Sequence, residues 1–306
     1  MISYGRFRTS PRQPKLAACG CPVQRPEKAV SGCRFPENHN MPGGDARADR
    51  ASGYKTSMAA TVQRPGTSEE YTGVRTLEVL TCAVKYQRFL SGLLTRAAGV
   101  PGAGQMVADF GAGLGTFARD ARSLGWQVTC VELDPALRAH LRADGFEAAE
   151  SLDDISPRSL DFLFSYNVLE HIEDDASVVG DFHRVLKPGA PLLLYVPAYA
   201  VLYGPLDRAV GHVRRYRRRG LVELVESAGF TLKTCHYSDS IGFAAALAHR
   251  VIGDGSGRLD ERAVRFYDRA MFPVSRRLDH FARRFIGKNL VLIAHRSADT
   301  PGATPL

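Results

Sequence analysis

The stretch VADFGAGLGTFARD, Val107 to Asp120, narrows what this chain can fold into more than any other feature. A short apolar run ends in Asp109, three glycines follow at alternate positions, and a helical pattern begins behind them. Glycine accepts backbone conformations that other residues resist and lets a chain pass close to a ligand. A strand that runs through such a loop into a helix opens an α/β sheet, whose ligands lie outside the carboxyl ends of the strands. A dinucleotide, a phosphate and a sulfonium nucleoside are the candidate occupants. Gly111, Gly113 and Gly115 are spaced G-x-G-x-G, not the G-x-G-x-x-G of a dinucleotide site, and no G-K-[ST] ends the loop as a Walker sequence requires. The Asp109 carboxylate at the strand tip suits an ammonium group and repels a pyrophosphate.

The pattern around this unit alternates. Val74 to Ala98 reads as a helix on Leu77, Leu80, Val84, Leu90 and Leu94. Strands are expected at Met106–Phe110, Gln127–Val131, Asp161–Tyr166 and Pro191–Val196, with helices at Phe117–Leu124, Pro135–Ala143 and Ala176–Leu186. Apolar strand runs of this kind belong to parallel sheets covered on both faces. Residues 197–218 read as a linker with tyrosines and arginines. A short helix at Leu221–Ala228 and strands at Phe230–Tyr237 and Asn289–His295 follow. Between the last two strands, helical patterns at Ile241–Val251 and Asp260–Ile286 make an insertion over 240–287, of a length that usually covers or shapes a site. Its stripe of Tyr267, Met271, Val274, Leu278, Phe281 and Phe285 reads as the packed face of an amphipathic helix, in preference to a lid or a membrane-surface helix. Pro273 should kink or split it.

Charge sorts the partners. The net charge of +8 suggests nucleic acid, but residues 1–66 hold 11 basic and 4 acidic residues, and residues 67–306 hold 29 and 28. The part expected to fold is nearly neutral and lacks the basic footprint that nucleic-acid binding needs. Residues 1–66, rich in Pro, Gly, Arg and Ser, read as a disordered basic segment, with Met41 and Met58 as alternative starts. Residues 67–296 read as one domain and 297–306 as a disordered tail. No apolar run of about 18 residues is present. The six cysteines form no C-x-x-C pair, and Cys82 and Cys130 read as small core residues, which suggests a reduced, cytoplasmic chain without a metal site. Asp174 and Asp175 beside His171 are the place where a metal would be sought.

A second acid, Glu132, ends the next strand, where a carboxylate can accept two hydrogen bonds from a ribose diol. Acids on two adjacent strand tips around a glycine loop fit a nucleoside with an amino-acid tail, S-adenosylmethionine or its product. VADFGAGLGTFARD, VTCVELDP, DFLFSYNVLEHIEDD and LKPGAPLLLYVPA, in that order, resemble the motif set of class I S-adenosylmethionine-dependent methyltransferases. Beyond them, LYGPLDRAVGHVRRYRRRGLVELVESAGF and PVSRRLDHFARRFIGKNLVLIAHR resemble a bacterial small-molecule-type subgroup. The resemblance implies a Rossmann-like seven-stranded sheet with helices on both faces, its last strand antiparallel. It implies S-adenosylmethionine as cofactor. Asp109, Gly111, Ala112, Gly113 and Gly115 would hold its methionine end, Glu132 and Leu133 the ribose, and Ser151 and Leu152 the adenine. Asn167 and Val168 would border the methyl-transfer mouth.

Methyl transfer is an in-line displacement in which the protein supplies position and electrostatics. Acceptor-side candidates follow the fifth strand. His212, with His171 and Tyr203, is a candidate for proton transfer, because histidine titrates in the right range. Tyr199, Asp207, Arg214, Arg215 and Tyr216 are candidates for gripping the acceptor, the arginines through forked hydrogen bonds to a carboxylate or phosphate. The expected reaction is methylation of a small molecule: a secondary metabolite, quinone, sugar or lipid-linked intermediate. A non-catalytic S-adenosylmethionine-binding protein and a protein or nucleic-acid methyltransferase are the alternatives. Against base methylation, the place of an N/D-P-P-[YFW] run reads Asn167-Val168-Leu169-Glu170. Nucleic-acid partners are not expected, nor is membrane contact through 260–287.

Overall fold

Strand β1 (Met106–Phe110) is buried along most of its length because strands flank it on both sides and helices cover both faces. It pairs in parallel with β2 (Gln127–Val131) and with β4 (Phe162–Tyr166). The computed structural model describes residues 81–99, 102, 104–252 and 260–298. The expectations for residues 1–66, for the helix start at Val74 and for most of the 297–306 tail lie outside the described residues.

The sheet has seven strands in the order β3-β2-β1-β4-β5-β7-β6. The remaining strands are β3 (Glu147–Ala149), β5 (Pro191–Pro197), β6 (Phe230–Ser238) and β7 (Asn289–Arg296). β7 runs antiparallel to both β5 and β6, so the antiparallel last strand is inserted between its neighbours and does not lie at the edge. The sequence pattern missed β3. It is three residues long, sits at the sheet edge and has no apolar run.

Alternation along the strands divides the core. Ala108, Phe110, Leu163, Leu192 and Leu194 face α4 (Asp175–Val185) and α6 (Arg218–Ser227). Val107, Phe162, Phe164, Leu193 and Tyr195 face α1 (Val84–Ala98), α2 (Thr116–Ser123) and α3 (Pro135–Ala143). Each fully buried Leu or Phe contributes about 1.5–3 kcal/mol. Local signals set the helix starts. Asp134 accepts hydrogen bonds from Ala136 and Leu137 N–H while Pro135 occupies the first turn of α3. Asp174 caps α4 through Ser177 N–H (3.1 Å).

Three expectations are corrected here. Residues 197–218 are more than a linker: they hold a 3-10 turn at Ala200–Leu202 and helix α5 (Pro205–Val210). Cys82 is only half-buried and lies 3.3 Å from the Glu261 carboxylate, whereas Cys130 is in the core. The stripe of the insertion does not pack as one face. The insertion comprises α7 (Ser240–Ile252), α8 (Glu261–Phe266), a wide turn over Tyr267–Met271 and α9 (Phe272–Ala282). Tyr267 and Met271 are partly buried, but Val274, Leu278, Phe281 and Phe285 are outside.

Polar demand explains the reversal. The buried face of α9 is Phe272, Ser275 and Asp279. The Asp279 carboxylate accepts from Asp239 and Ser240 N–H (2.9 Å each), and Ser275 Oγ accepts from Ile241 N–H (3.0 Å). These donors open α7, where no helical carbonyl can serve them. Asp268 serves α1 in the same way, through Lys85 and Tyr86 N–H (3.0 and 2.8 Å). Pro273 does split the pattern, and sits in the first turn of α9 where its missing N–H costs little.

Candidate cofactor and acceptor site

The strand order reverses between β1 and β4, and their carboxyl ends carry the glycine loop and Asn167–Val168. An open α/β sheet binds its ligand at such a point. Gly111, Gly113 and Gly115 all have positive φ (77°, 53° and 72°). A Cβ on Gly111 would stand 2.2 Å from Val168 Cγ2, and one on Gly115 would stand 2.7 Å from Leu141 Cδ2. Two of the three glycines thus serve the protein's own close packing. The Gly111 and Ala112 N–H groups donate to the Val131 carbonyl (2.8 and 3.2 Å), which fastens the loop across the β2 tip.

Gly113 N–H donates to Glu132 Oε2 (2.8 Å), and Asp134 N–H donates to Oε1 (3.0 Å). A carboxylate has about four acceptor positions, so each oxygen keeps capacity for a hydroxyl. Leu133, beside it, is half-buried, and its carbonyl accepts from Arg138. Asp109 is buried and its Oδ2 has no hydrogen-bond partner among the described residues. Burial, and then the Glu132 charge, push its carboxyl well above the usual range, against the pull of Ala118 N–H at the start of α2. A buried carboxylate with an unmet oxygen is costly unless a cation reaches it. The amino-acid ammonium of a nucleoside ligand fits that unmet acceptor.

The adenine-side expectation is narrowed. Ser151 is buried and its Oγ accepts from Asp153 N–H, while Leu152 is in the core and its carbonyl accepts from Arg184. Burial turns both side chains toward the protein, and the Ser151 hydroxyl keeps its proton as a donor. Asn167 holds φ 54° and donates its N–H to the Tyr195 carbonyl (2.8 Å). Tyr199, at the end of β5, holds φ 60°. Such conformations are uncommon outside glycine and cluster at functional loops.

The acceptor-side candidates converge, but not as a substrate grip. Asp207 is buried. It receives His212 Nδ1 (2.7 Å), Arg215 through Nε and Nη2 (2.8 and 3.0 Å) and Gly204 N–H (2.9 Å). Burial alone would raise its carboxyl, yet the bonds from His212 and Arg215 hold it down to about 2. Arg214 binds Asp175 (2.9 Å) and the Glu173 carbonyl, and the buried Tyr216 hydroxyl binds Asp175 (2.7 Å) and Leu169. The expectation that Asp207, Arg215 and Tyr216 contact an acceptor is therefore corrected, since these buried groups are engaged within the protein, while the half-buried Arg214 keeps N–H donors beyond its two bonds. Tyr203 donates to the His212 carbonyl (2.8 Å), so its hydroxyl positions the loop. Tyr199 stacks on Tyr237 (4.7 Å, 15°) and donates to the Phe285 carbonyl.

His212 keeps the geometry of a proton acceptor. With Nδ1–H directed at Asp207, Nε2 carries the lone pair and lies 3.6 Å from Glu170 Oε1. The His171 ring meets His212 edge-on (4.7 Å, 83°), and its Nδ1 faces the Gly211 carbonyl (3.2 Å). Burial, then the adjacent His212, push His171 down to about 4. It is a neutral packing partner at ordinary pH. Glu170 was not among the candidates drawn from the sequence. It is fully buried, neither carboxyl oxygen has a hydrogen-bond partner among the described residues, and burial pushes it up to about 8. The LEH run was the available signal, but only burial distinguishes this glutamate from a solvated one.

Glu170, His171 and His212 each bring one potential ligand atom within 4.8 Å of the others. That grouping can share a proton or take a cation. The grouping suggested by sequence does not form, because Asp174 caps α4 and Asp175 holds Arg214 and Tyr216.

Residues 83–234 match a family model described as a methyltransferase domain. A Mycolicibacterium smegmatis protein named a probable S-adenosylmethionine-dependent methyltransferase is 31% identical over 179 residues, 55% of this chain and 63% of that one. A ubiquinone biosynthesis O-methyltransferase of Xanthomonas oryzae pv. oryzae is 32% identical over 102 residues, 30% of this chain and 43% of that one. The chain thus spans under two thirds of the length of these relatives. A chain of the Haloferax volcanii complex containing the Trm112 methyltransferase activator shares the fold. Its TM-score is 0.51 at 16% identity, over 75% of this chain and 100% of that one. Together with the glycine loop and the two strand-tip acids, these matches identify the chain as a member of the class I S-adenosylmethionine-dependent methyltransferase family.

Proposed function

We propose that this protein transfers a methyl group from S-adenosylmethionine to a small-molecule acceptor. The observation that carries the reading is the pair of carboxylates on the β1 and β2 tips: Asp109, with an oxygen lacking a partner, and Glu132, with acceptor capacity left. Asp109 receives the ammonium, Glu132 the ribose hydroxyls, and the Gly113 backbone runs between them. When bound, the cofactor supplies the methyl group and takes back the electron pair of the broken C–S bond. His212 Nε2 takes the acceptor's proton, and Asp207 keeps Nδ1 protonated and the ring oriented. The names of the Xanthomonas relatives, O-methyltransferases of ubiquinone biosynthesis, favour a hydroxyl on an apolar, ring-bearing acceptor. A hydroxyl is also the acceptor that most needs a base.

Calorimetry with S-adenosylhomocysteine, paired with methyl-labelled S-adenosylmethionine and an organic-soluble cell extract, tests this. Asp109→Asn should keep the fold, since it removes a buried unpaired acid, and bind roughly tenfold or more weakly through loss of a charged partner. His212→Gln should bind the cofactor normally and transfer little label. Label that enters protein or nucleic acid instead of the organic-soluble fraction would overturn the acceptor class. Undiminished binding by Asp109→Asn would overturn the site.

A further inference from the structure

We infer that α9 and the turn behind it form a docking face for a bilayer rich in anionic phospholipid. This surface is independent of the methyl-transfer reading. Ser275 and Asp279 must face inward, beside Phe272, to serve the start of α7, so Val274, Leu278 and Phe281 of the same helix are turned out. Val274, Leu278 and Phe281 follow at spacings of four and three on one face of α9, and Phe285 adds to them from the turn that follows. Phe281 is 85% exposed and Phe285 75%, values that no packed aromatic shows. A contiguous apolar patch of this kind marks a surface that meets something.

Charge selects the occupant. Arg277, Arg283 and Arg284 are exposed beside these side chains, and no ion pair engages them among the described residues. Of the acids of the segment, Asp268 and Asp279 are buried, Glu261 is paired with Arg265, and the exposed Asp260 caps the start of α8 through Ala263 N–H. A second copy of this face would set arginines against arginines. Residues 1–66 carry a net +7 and are likewise unsuited to cover it. An anionic lipid surface complements it, with aromatic side chains entering the boundary and arginines at the headgroups. The face continues into a shallow groove of about 620 Å³, where Arg217, Arg218 and Arg284 meet Tyr199, Tyr237 and Phe285. Two acids also line it, Glu223, paired with Arg219, and Glu226. No described helix is long and apolar enough to cross a membrane, so the contact is made from the surface.

The full chain should be sedimented with vesicles of phosphatidylcholine alone and vesicles that also contain phosphatidylglycerol. Binding is expected only to the second, weakening with salt. Phe281→Ser with Phe285→Ser should lower partitioning about tenfold, and Arg277→Glu with Arg284→Glu by roughly fivefold or more per residue. Circular dichroism checks that both pairs are folded. The inference fails if the chain stays in solution with both vesicles. It fails equally if the phenylalanine pair binds like the parent, since the basic N-terminal segment would then carry the attraction. A dimer in sedimentation velocity that the phenylalanine pair dissolves would assign the face to a second copy instead.

Discussion

Glu170 shows how far one residue's environment can depart from its sequence context. Its carboxyl ordinarily titrates near 4.3, and burial moves it to about 8 in the folded protein. The folded state therefore keeps a proton that the unfolded chain releases. The stability this contributes is full below about pH 4.3 and is lost as the pH rises through about 8. Urea unfolding across that window should show stability falling with pH in the parent. Glu170→Gln, a neutral isostere, should flatten the fall. An equal slope in both would mean that Glu170 is ionised in the folded protein. His171 and His212, beside it, were visible as candidates because histidine in a motif draws notice. The unpartnered glutamate did not, because a charged residue in sequence is normally read as solvated.

At the scale of an element, the glycine loop separates two reasons for a glycine. Gly111 needs a left-handed backbone and has no room for a Cβ beside Val168. Gly115 needs the same backbone, but a Cβ there would meet the tip of the buried Leu141 side chain at 2.7 Å, a milder overlap. Both alanine variants should be less stable by about 1–2 kcal/mol for the backbone alone. Gly111→Ala should lose more than Gly115→Ala, and Val168→Ala should recover part of that excess and none of the backbone cost. Denaturant midpoints of the four variants measure this, and equal losses at the two glycines would refute the steric account. Helix α9 teaches the opposite lesson about pattern. Its stripe has the period of a packed helix, yet Ser275 and Asp279 are inside with Phe272, because α7 needs acceptors for its first N–H groups. Hydrophobic periodicity reports that a face exists, and the neighbouring helix ends decide which face is buried.

Across the whole molecule, the insertion of β7 between β5 and β6 ties the end of the chain to its middle. A chain that stops before Asn289 should lose the folded sheet as a unit and not merely an edge strand, because β6 then has no partner. A native-like far-ultraviolet spectrum and cooperative melting of that truncation would contradict it. Apart from β3, the strands and α-helices from Met106 to Pro197 were readable in the sequence. Parallel strands buried on both faces must be apolar throughout, and caps such as Asp134-Pro135 act within one turn. The acids on the two strand tips were readable too, since strand and loop lengths place them. Arg215, Asp207 and Tyr216 looked like substrate ligands because sequence shows only that polar groups follow a strand, not which of them satisfy one another. β3 escaped because three edge residues need no pattern. Local propensity and period were determined by the sequence itself. Which polar groups pair, which carboxyl oxygen remains without a partner at Asp109 and Glu170, and which side of α9 faces out were decided only by the tertiary structure. Those outcomes depend on groups that lie far apart along the chain and meet only when it is folded.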